Sequence, residues 1–420
     1  ANSAMIVVVV TAIFPIFFAS YAGVGLSAAQ VQFRFSATTT IALTIIAVLS
    51  PILGTVADHV PIKKRLLGAF LSVGVTAIAL MFFIPQGGWL FALALFLLAN
   101  IGANGSFVFY DALLPHVAGN EEIDRVSTAG YALGYVGGGL LLLLALLLVL
   151  YPAAVGLPAG EGISARAASL PARLSFVLTA VWWIVFAVPL FRRVPEPMAK
   201  ALSEAERAQG SMRAAFGRLA VTVRELRKFR NAFLLLVAFL VYNDGIGTII
   251  RMATLYGESI GIDRTVMIGA VVLVQFVGIP FAFLFGQLAG RVGAKSSIFV
   301  GLAAYVGITF VGYFMTTATH FLVLAALVGM VQGGTQALSR SLFGSMIPRH
   351  SSGEFFGLFA VFEKFAGIFG PGVFAVMIAL TGSSRGAILS IVVFFVVGAL
   401  LLTLVDVAEG QRIAREAEGG

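Results

Sequence analysis

The sequence contains no cysteine. It therefore forms no disulfide and offers no thiolate as a metal ligand or nucleophile. Charged residues are also scarce, at 11% of the 420 residues, compared with about 25% in soluble chains. These shortages exclude a disulfide-stapled secreted domain, a thiolate metal site and an ordinary soluble fold.

Catalytic motifs are absent as well. The four histidines, His59, His116, His320 and His350, fall at the ends of apolar segments or in loops. The sequence has no HExxH metal motif and no P-loop. We therefore expect no enzyme, no bound metal, no cofactor and no ATP-driven pumping by this chain.

Long apolar runs are abundant, with 60% hydrophobic residues and a mean hydropathy of +1.02. Segments long enough to cross a hydrocarbon core of about 30 Å recur along the chain. We predict an all-α membrane protein in which twelve spans form two parallel six-helix pseudo-repeats. The predicted spans are 3–26, 36–57, 66–84, 89–112, 127–151, 174–191, 232–255, 265–288, 296–315, 319–345, 354–380 and 384–406.

A polar, basic segment divides these spans into six plus six. We predict an N-terminal six-helix bundle at 1–191, a cytoplasmic basic amphipathic linker at 192–231, a second bundle at 232–406 and a cytoplasmic tail at 407–420. The pattern of Phe216, Leu219, Val223 and Leu226 favours a helix on the inner leaflet. The alternative is an ordinary linker that obeys the positive-inside rule.

The two halves show weak internal similarity. At an offset of 233, residues 111–139 align with 344–372 and share one proline, one glutamate and three glycines: Pro115/Pro348, Glu121/Glu354, Gly134/Gly367, Gly137/Gly370 and Gly139/Gly372. Six spans return a chain to its starting side, so the halves would be parallel copies. Parallel repeats of this kind are described for major facilitator transporters.

The distribution of positive charge predicts the orientation. Of the 27 Lys and Arg residues, 20 fall on one predicted side and 5 on the other, which places both termini in the cytoplasm. The same bias explains the net charge of +8 without a nucleic-acid partner. We expect a multi-pass protein of the cell (inner) membrane. The chain begins at Ala1 inside its apparent first span, so we expect residues to be missing before it.

The loop after span 2 resembles the signature of the major facilitator superfamily. It reads Gly54-Thr-Val-Ala-Asp58-His-Val-Pro-Ile-Lys63-Lys64-Arg65. Pro61 replaces the usual glycine of the turn, and the basic cluster sits about one residue late. Because this loop latches one conformation in the superfamily, the resemblance implies that Gly54, Asp58, Lys63, Lys64 and Arg65 act in gating. The alternative is an ordinary charged turn.

A second, degenerate copy follows span 8. Gly286, Arg291, Gly293 and Lys295 match the pattern, but Gly290 stands where the first copy has its aspartate. We include those four matching residues among the gating candidates. In span 10, Gly329-Met-Val-Gln332-Gly333 is similar to the superfamily's Arg-x-x-Gln-Gly pattern. Glycine replaces that arginine, so its role in proton handling does not transfer.

A narrower resemblance covers most of the chain. Its motifs are Ala1-Asn2-Ser3-Ala4, Ser50-Pro51-Ile-Leu-Gly54, Gly130-Tyr131-Ala-Leu-Gly134-Tyr135, Tyr242-Asn243-Asp244-Gly245, Gln332-Gly333-Gly334 and Gly353-Glu354-Phe355-Phe356-Gly357. Together they resemble the vacuole effluxer-like family, a major facilitator branch of bacteria and fungal vacuoles. The resemblance implies transport of a small molecule, with amino acids favoured because the fungal members are linked to amino-acid efflux.

Polar residues inside the spans are candidates for substrate binding or coupling. Charges in a membrane are costly and usually face a partner or a cavity, whereas amides often serve only as hydrogen bonds between helices. The candidates are Asn2, Asn100, Asn104, Tyr110, Asp111, Asn243, Asp244, Arg251, Gln332, Gln336, Arg340, Glu363 and Lys364. A zwitterion needs one anionic and one cationic partner, and this set offers both.

Glu363 is the best candidate for proton coupling, because burial and an adjacent cation act on a carboxyl in opposite directions. The alternative is a static ion pair of Lys364 with Asp244 or Glu363. We expect a secondary transporter that works by alternating access as a monomer among membrane lipids, with export slightly favoured and protons as a candidate partner. A lipid flippase or an intramembrane lipid-modifying enzyme is the alternative from another class.

Overall fold

The structure, a computed structural model, describes residues 2–160, 162–198, 228–259, 261–367, 369–381 and 384–419. Twelve helices in these ranges are long and apolar enough to cross a membrane, which confirms the predicted all-α architecture. They are Asn2–Ala22, Ala29–Asp58, Lys63–Phe83, Trp89–Val117, Ile123–Leu150, Ala165–Arg193, Arg230–Arg251, Thr265–Val292, Ala294–Tyr313, Ala318–Ser345, Arg349–Thr381 and Arg385–Thr403, numbered spans 1 to 12. The predicted amphipathic helix of the linker lies mostly in 199–227, outside the described residues.

Most spans are continuous. Seven of them are single helices over Ala28–His59, Lys63–Leu80, Ile123–Leu150, Arg230–Ser259, Arg264–Val292, Ala294–Tyr313 and Ala318–Ser345. Span 4 joins Trp89–Ala112 to Leu114–Val117, and span 6 joins Ala165–Ala168 to Leu170–Arg193. In both cases Pro stands in the first turn of the second helix, where its missing N–H removes no helical bond.

Two spans begin earlier than predicted, because polar caps extend the helices beyond the apolar runs. Span 2 begins near residue 28 and not at 36. Ser27 and Gln30 form a capping box, in which each backbone N–H donates to the other side chain at 3.0 and 3.3 Å. Span 6 begins at Ala165 and not at 174, where Ser164 Oγ accepts from Ala167 N–H at 3.3 Å.

Span 11 is two helices, Ser352–Phe365 and Phe369–Thr381, so the prediction of one helix over 354–380 is wrong. Gly367 has a φ of +115°, a left-handed value that favours glycine. Pro371 has no N–H, and its ring excludes the carbonyl four residues earlier, which is that of Gly367. We call the two helices 11a and 11b, and the interruption at Ala366 and Gly367 the break.

Spans 1 and 12 are also irregular. Span 1 contains two stretches of π-helix, Ile6–Ile13 and Phe18–Ala22. Span 12 consists of Ser384–Ser390 and Val392–Thr403. A final helix, Val407–Gly419, follows it. Its Gly410 packs closely against Met346 and Asn231.

The chain divides into two compact units. Unit 1 comprises Ala1–Leu49, Ile62–Tyr110 and Gly134–Glu196, and unit 2 comprises Ser50–Pro61, Asp111–Leu133 and Pro197–Gly420. The adjoining ends of spans 2, 4 and 5 therefore belong to unit 2 with spans 7 to 12. The predicted division at 192–231 into two six-helix bundles stays a prediction.

Glycines allow the helices to pack closely in each unit. In unit 1, a Cβ on Gly102 would lie 2.5 Å from the backbone nitrogen of Gly74, so spans 3 and 4 meet backbone to backbone. Nearby, the rings of Phe14 and Phe96 stack with centroids 4.4 Å apart. In unit 2, Gly334 of span 10 lies directly against the ring of Phe285 of span 8.

Candidate functional site

The carboxylate of Asp58 caps helix 11a. Its Oδ1 accepts from the N–H of Gly353 at 2.9 Å, and its Oδ2 accepts from the N–H of Glu354 at 2.7 Å. The first N–H groups of a helix have no acceptor within it, and an anion there is favoured by the helix dipole. Asp58 is 1% exposed, so these are buried, charge-assisted hydrogen bonds.

Glycines permit this contact between spans 2 and 11. A Cβ on Gly54 would overlap the carbonyl of Gly353. One turn along 11a, a Cβ on Gly357 would lie 2.6 Å from the carbonyl oxygen of Ser50. The structure thus brings two predicted gating residues, Gly54 and Asp58, against the start of 11a.

Arg340 of span 10 forms a buried ion pair with Asp111 of span 4, with Nη1 and Oδ1 2.7 Å apart. Its Nε and Nη2 donate to Ser127 Oγ at 3.1 and 3.0 Å. The guanidinium also lies over the ring of Tyr131, 5.0 Å from its centroid. These contacts join the end of span 4 and the start of span 5 to span 10.

Two further hydrogen bonds extend this region. The hydroxyl of Ser341 donates to the carboxylate of Asp124. Nε2 of His116 lies 3.0 Å from the hydroxyl of Ser352, at the start of 11a. We call the set of Asp58, Asp111, Asp124 and Arg340 with their partners the Arg340 cluster.

Lys64, one of the predicted gating residues, contacts the end of span 6. Lys64 Nζ donates to the carbonyls of Phe191 and Val194 at the end of span 6, at 3.0 and 2.5 Å. Its backbone N–H donates to the carboxylate of Glu196 at 3.0 Å. Lys63 is buried and Arg65 is exposed. Lys64 therefore ties span 3 to span 6 within unit 1.

The degenerate second copy behaves in the same way. Lys295 Nζ donates to the carbonyls of Thr403 and Val405 at the end of span 12, at 3.1 and 2.7 Å. Gly293 ends span 8 with a φ of +84°, and Arg291 beside it is exposed. Gly286 lies so close to span 5 that a Cβ would overlap the hydroxyl of Thr128.

Asp244 caps the second half of the broken span. Its Oδ2 accepts from the N–H groups of Phe369 and Gly370, both at 3.0 Å, in the first turn of 11b. The side chain is 1% exposed. Span 11 thus carries a buried carboxylate at the N-terminus of each of its halves, one from span 2 and one from span 7.

Three more charges border the break. The guanidinium of Arg251 lies against the backbone of Gly247 and Gly367. Lys364 Nζ lies 3.3 Å from Glu363 Oε2 at the end of 11a. Of the two ion pairs considered for Lys364, the structure therefore contains the one with Glu363.

The predicted amides separate into two groups. Gln336 Nε2 donates to Asn243 Oδ1 at 3.1 Å and joins spans 10 and 7 next to Asp244. Gln332, one turn away on span 10, is half-buried. In unit 1, Asn2 donates to Ser106 Oγ at 2.9 Å and accepts from Trp183 Nε1 at 2.5 Å. Asn2 therefore joins spans 1, 4 and 6.

Three further candidates lie on the part of span 4 that belongs to unit 1. The side-chain amides of Asn100 and Asn104 donate to the carbonyls of Phe96 and Asn100, one turn earlier on their own helix, both at 2.9 Å. Tyr110 is exposed. Within the described ranges, no cluster of three or more His, Cys, Asp or Glu side chains suits a metal.

Sequence reasoning missed several buried polar residues, and besides Ser127 they include Arg173 and Thr248. Arg173 of span 6 is 4% exposed and donates to the Tyr21 hydroxyl and the Ile84 carbonyl, at 2.5 and 2.6 Å. Thr248 of span 7 is fully buried one turn after Asp244. An arginine in the first turn of the helix Leu170–Arg193 was a usable signal, whereas a threonine in an apolar helix carries none.

Comparison with known proteins identifies the family. The model for the family described as vacuole effluxer Atg22 like matches residues 24–415. The chain belongs to this family. This confirms the resemblance found in the sequence motifs.

Individual relatives agree with this result. The chain is 39% identical to the uncharacterized MFS-type transporter YxiO of Bacillus subtilis (strain 168), over 96% of this chain and 92% of that protein. It is 26% identical to autophagy-related protein 22-1 of Penicillium rubens, over 69% of this chain but only 50% of the fungal protein.

A solved structure supports the fold. The proton:xylose symporter XylE, a major facilitator superfamily protein crystallised with 6-bromo-6-deoxy-D-glucose, superimposes with a TM-score of 0.67. The match covers 99% of this chain and 95% of that one at 11% identity. The fold is that of a major facilitator transporter, and the relatives are named as transporters, not enzymes.

Proposed function

We propose that this transporter moves a small polar metabolite across the membrane by alternating access, with free amino acids as the leading substrate class. The proposed membrane is the cell (inner) membrane, with both termini in the cytoplasm. Export is slightly favoured over import.

The observation that carries this proposal is the pair of carboxylate caps on span 11. Asp58 holds the N-terminus of 11a and Asp244 holds that of 11b. A side-chain cap contributes about 0.5–2 kcal/mol, which is small enough to break and re-form in each transport cycle. The Asp58 contact would then close one end of the pathway, and its rupture would open that end.

The charges at the break support a polar substrate with both signs of charge. Asp244 and Arg251 border the same interruption of span 11. Transporters commonly bind substrates near the bilayer midplane where helices are discontinuous, because the freed helix ends and backbone groups face the ligand. An amino acid presents an ammonium and a carboxylate to these two partners.

Proton coupling through Glu363 is the finer part of the proposal. Its side chain is 35% exposed and pairs with Lys364 next to the break. If the pair is static, Glu363 only fixes the end of 11a, and transport does not depend on the pH gradient.

Uptake into proteoliposomes tests both parts. The purified chain is assayed with a panel of radiolabelled amino acids, sugars and organic acids, with and without an imposed pH gradient. We expect saturable amino-acid transport that is lost in Asp244→Asn. If Glu363 couples protons, Glu363→Gln retains exchange at zero gradient but no longer responds to the gradient. Wild-type activity in both variants would contradict the assignment of Asp244 and Glu363 to transport.

A further inference from the structure

Two buried oxygens beside the break have no hydrogen-bond partner. They are Asp244 Oδ1 and Thr248 Oγ1, on side chains that are 1% and 0% exposed. Buried polar atoms are nearly always paired, and an unpaired oxygen in a membrane-spanning helix costs free energy. Such a pair of atoms indicates a site that a ligand completes.

Thr248 differs from the other buried threonines of the spans. Three of them, Thr179, Thr309 and Thr335, donate to the carbonyl four residues earlier, at 2.7 to 2.8 Å. This is the usual way for a helix to satisfy a buried hydroxyl. The hydroxyl of Thr248 makes no such bond and faces 11b instead.

Both oxygens point to the same place. A Cβ on Gly370 would overlap Thr248 Oγ1 and would lie 3.0 Å from Asp244 Oδ1. Because Gly370 has no side chain, both oxygens can lie directly against the first turn of 11b. The helix N-terminus here is already satisfied by Asp244 Oδ2, so Oδ1 is available to a ligand.

The occupant must be a donor or a cation, since both atoms can accept and Oδ1 can only accept while the carboxylate is ionised. Net charge selects among such ligands. The positive charge of Arg251 acts on Asp244, although no ion pair within 4 Å joins them in the described part of span 7. A metal cation would leave this region with excess positive charge, whereas a zwitterion adds none.

We infer that Asp244 Oδ1 and Thr248 Oγ1 form the subsite for the primary ammonium group of a zwitterionic substrate, and that Arg251 receives its carboxylate. The ligand class is the free α-amino acid. The assignment rests on the proposed transport function and adds Thr248 as a residue that determines specificity. We call Asp244, Thr248 and the backbone of Gly370 the ammonium subsite.

Competition experiments on the full chain in proteoliposomes test this subsite. The probe is the 14C-labelled amino acid, of the twenty common ones, that the wild-type chain takes up fastest. Its N-acetyl derivative lacks the ammonium group, and its decarboxylated amine lacks the carboxylate. The inhibition constants of the unlabelled amino acid and of both analogues are measured for each variant.

Thr248→Val removes the hydroxyl. It is expected to raise the inhibition constant of the amino acid about tenfold, because a hydrogen bond to a charged group is lost. The N-acetyl derivative does not use this hydroxyl, so its inhibition constant stays unchanged and discrimination between the two falls about tenfold. Arg251→Gln instead reduces the ratio between the inhibition constants of the decarboxylated amine and the amino acid. The matched control is Thr309→Val, whose hydroxyl bonds to the Tyr305 carbonyl at 2.8 Å, and it changes neither ratio.

Three results would overturn the assignment. Equal weakening of the amino acid and its N-acetyl derivative in Thr248→Val would show a structural role. Strict dependence of uptake on Na⁺, with Thr248→Val raising only the Na⁺ concentration needed, would place a metal cation there. Failure of the wild-type chain to transport any amino acid, while it transports another class, would instead reject the proposed substrate class.

Discussion

Lys64 and Lys295 hold equivalent positions in the two halves of the chain. Each stands at the start of the third span of its half and donates to two backbone carbonyls at the end of the sixth. The last carbonyls of a helix accept no hydrogen bond from the helix itself, and a cation there is favoured by the helix dipole. The signature loop therefore anchors helices within each half, whereas its aspartate makes the contact with 11a.

Loss of either lysine is expected to destabilise the fold. Lys64→Met or Lys295→Met removes a charged donor from two carbonyls, and hydrogen bonds to charged groups contribute about 1.5–3 kcal/mol. Thermal unfolding in detergent should show a lower apparent Tm for both variants. Arg65→Met and Arg291→Met, which alter exposed neighbours, should leave it unchanged. Equal shifts in all four variants would contradict the anchoring role.

Weakening the Asp58 cap is expected to open the contact between spans 2 and 11. In Asp58→Asn the helix end loses its anion and keeps one acceptor, a change of about 0.5–2 kcal/mol. Because the chain has no cysteine, Ser352→Cys supplies a single thiol at a position that is 0% exposed. Its alkylation by N-ethylmaleimide should become several-fold faster in the Asp58→Asn background.

The control for that experiment is another helix cap. Asp263 accepts from the N–H of Thr265 at 2.7 Å at the start of span 8, and the hydrogen bonds from Thr265 lower the pKa of its exposed carboxyl. Asp263→Asn should leave the alkylation rate of the Ser352→Cys thiol as it was. An equal acceleration would show that loss of any cap loosens the protein.

Arg340 and Asp111 should be strongly interdependent. Breaking a buried ion pair by removing one partner costs about 3–5 kcal/mol, because the other charge stays buried alone. Asp111→Asn and Arg340→Met should each lower the apparent Tm strongly. The decrease in the double variant should be smaller than the sum of the two single decreases. The exposed pair of Arg412 and Glu409 is the control, and Glu409→Gln should have no measurable effect. Additive losses would disprove the coupling.

The break in span 11 should depend on Gly367. In Gly367→Ala an L side chain must adopt a φ of +115°, at a cost of about 1–3 kcal/mol, and its Cβ would overlap the guanidinium of Arg251. We expect amino-acid uptake into proteoliposomes to fall strongly. Gly372→Ala, with open space at its Cβ, should transport normally. Normal uptake by Gly367→Ala would show that the break has no functional role.

The number of spans followed from the sequence because apolar length is a local property. The halves could be related because three glycines, one proline and one glutamate recur at a fixed offset. Their consequences were harder to predict. Gly367 and Pro371 are compatible with a break. Glycines in a membrane helix also allow close packing, however, so the same residues are compatible with an uninterrupted span. At the matching offset span 5 has Gly138 where span 11 has Pro371, and span 5 is a single helix.

The partners of the charged residues could not be derived from the sequence. Asp58 and Gly353 are 295 positions apart, and Asp244 and Phe369 are 125 apart. In each case the donor is a backbone N–H, which every residue except proline possesses. The acceptors of Lys64 are backbone carbonyls, which every residue possesses, so the sequence does not reveal them either. Charge placement selected the candidate residues, and only the tertiary structure showed what they contact.

Alternating access at the start of 11a is tested most directly by a reversible crosslink. His116 and Ser352 are in contact at 3.0 Å, and the chain has no other thiol once both are replaced by cysteine. A short bifunctional methanethiosulfonate should crosslink His116→Cys/Ser352→Cys and arrest amino-acid uptake, dithiothreitol should restore it, and each single variant should be insensitive to the reagent. Uptake that continues in fully crosslinked protein would contradict the account.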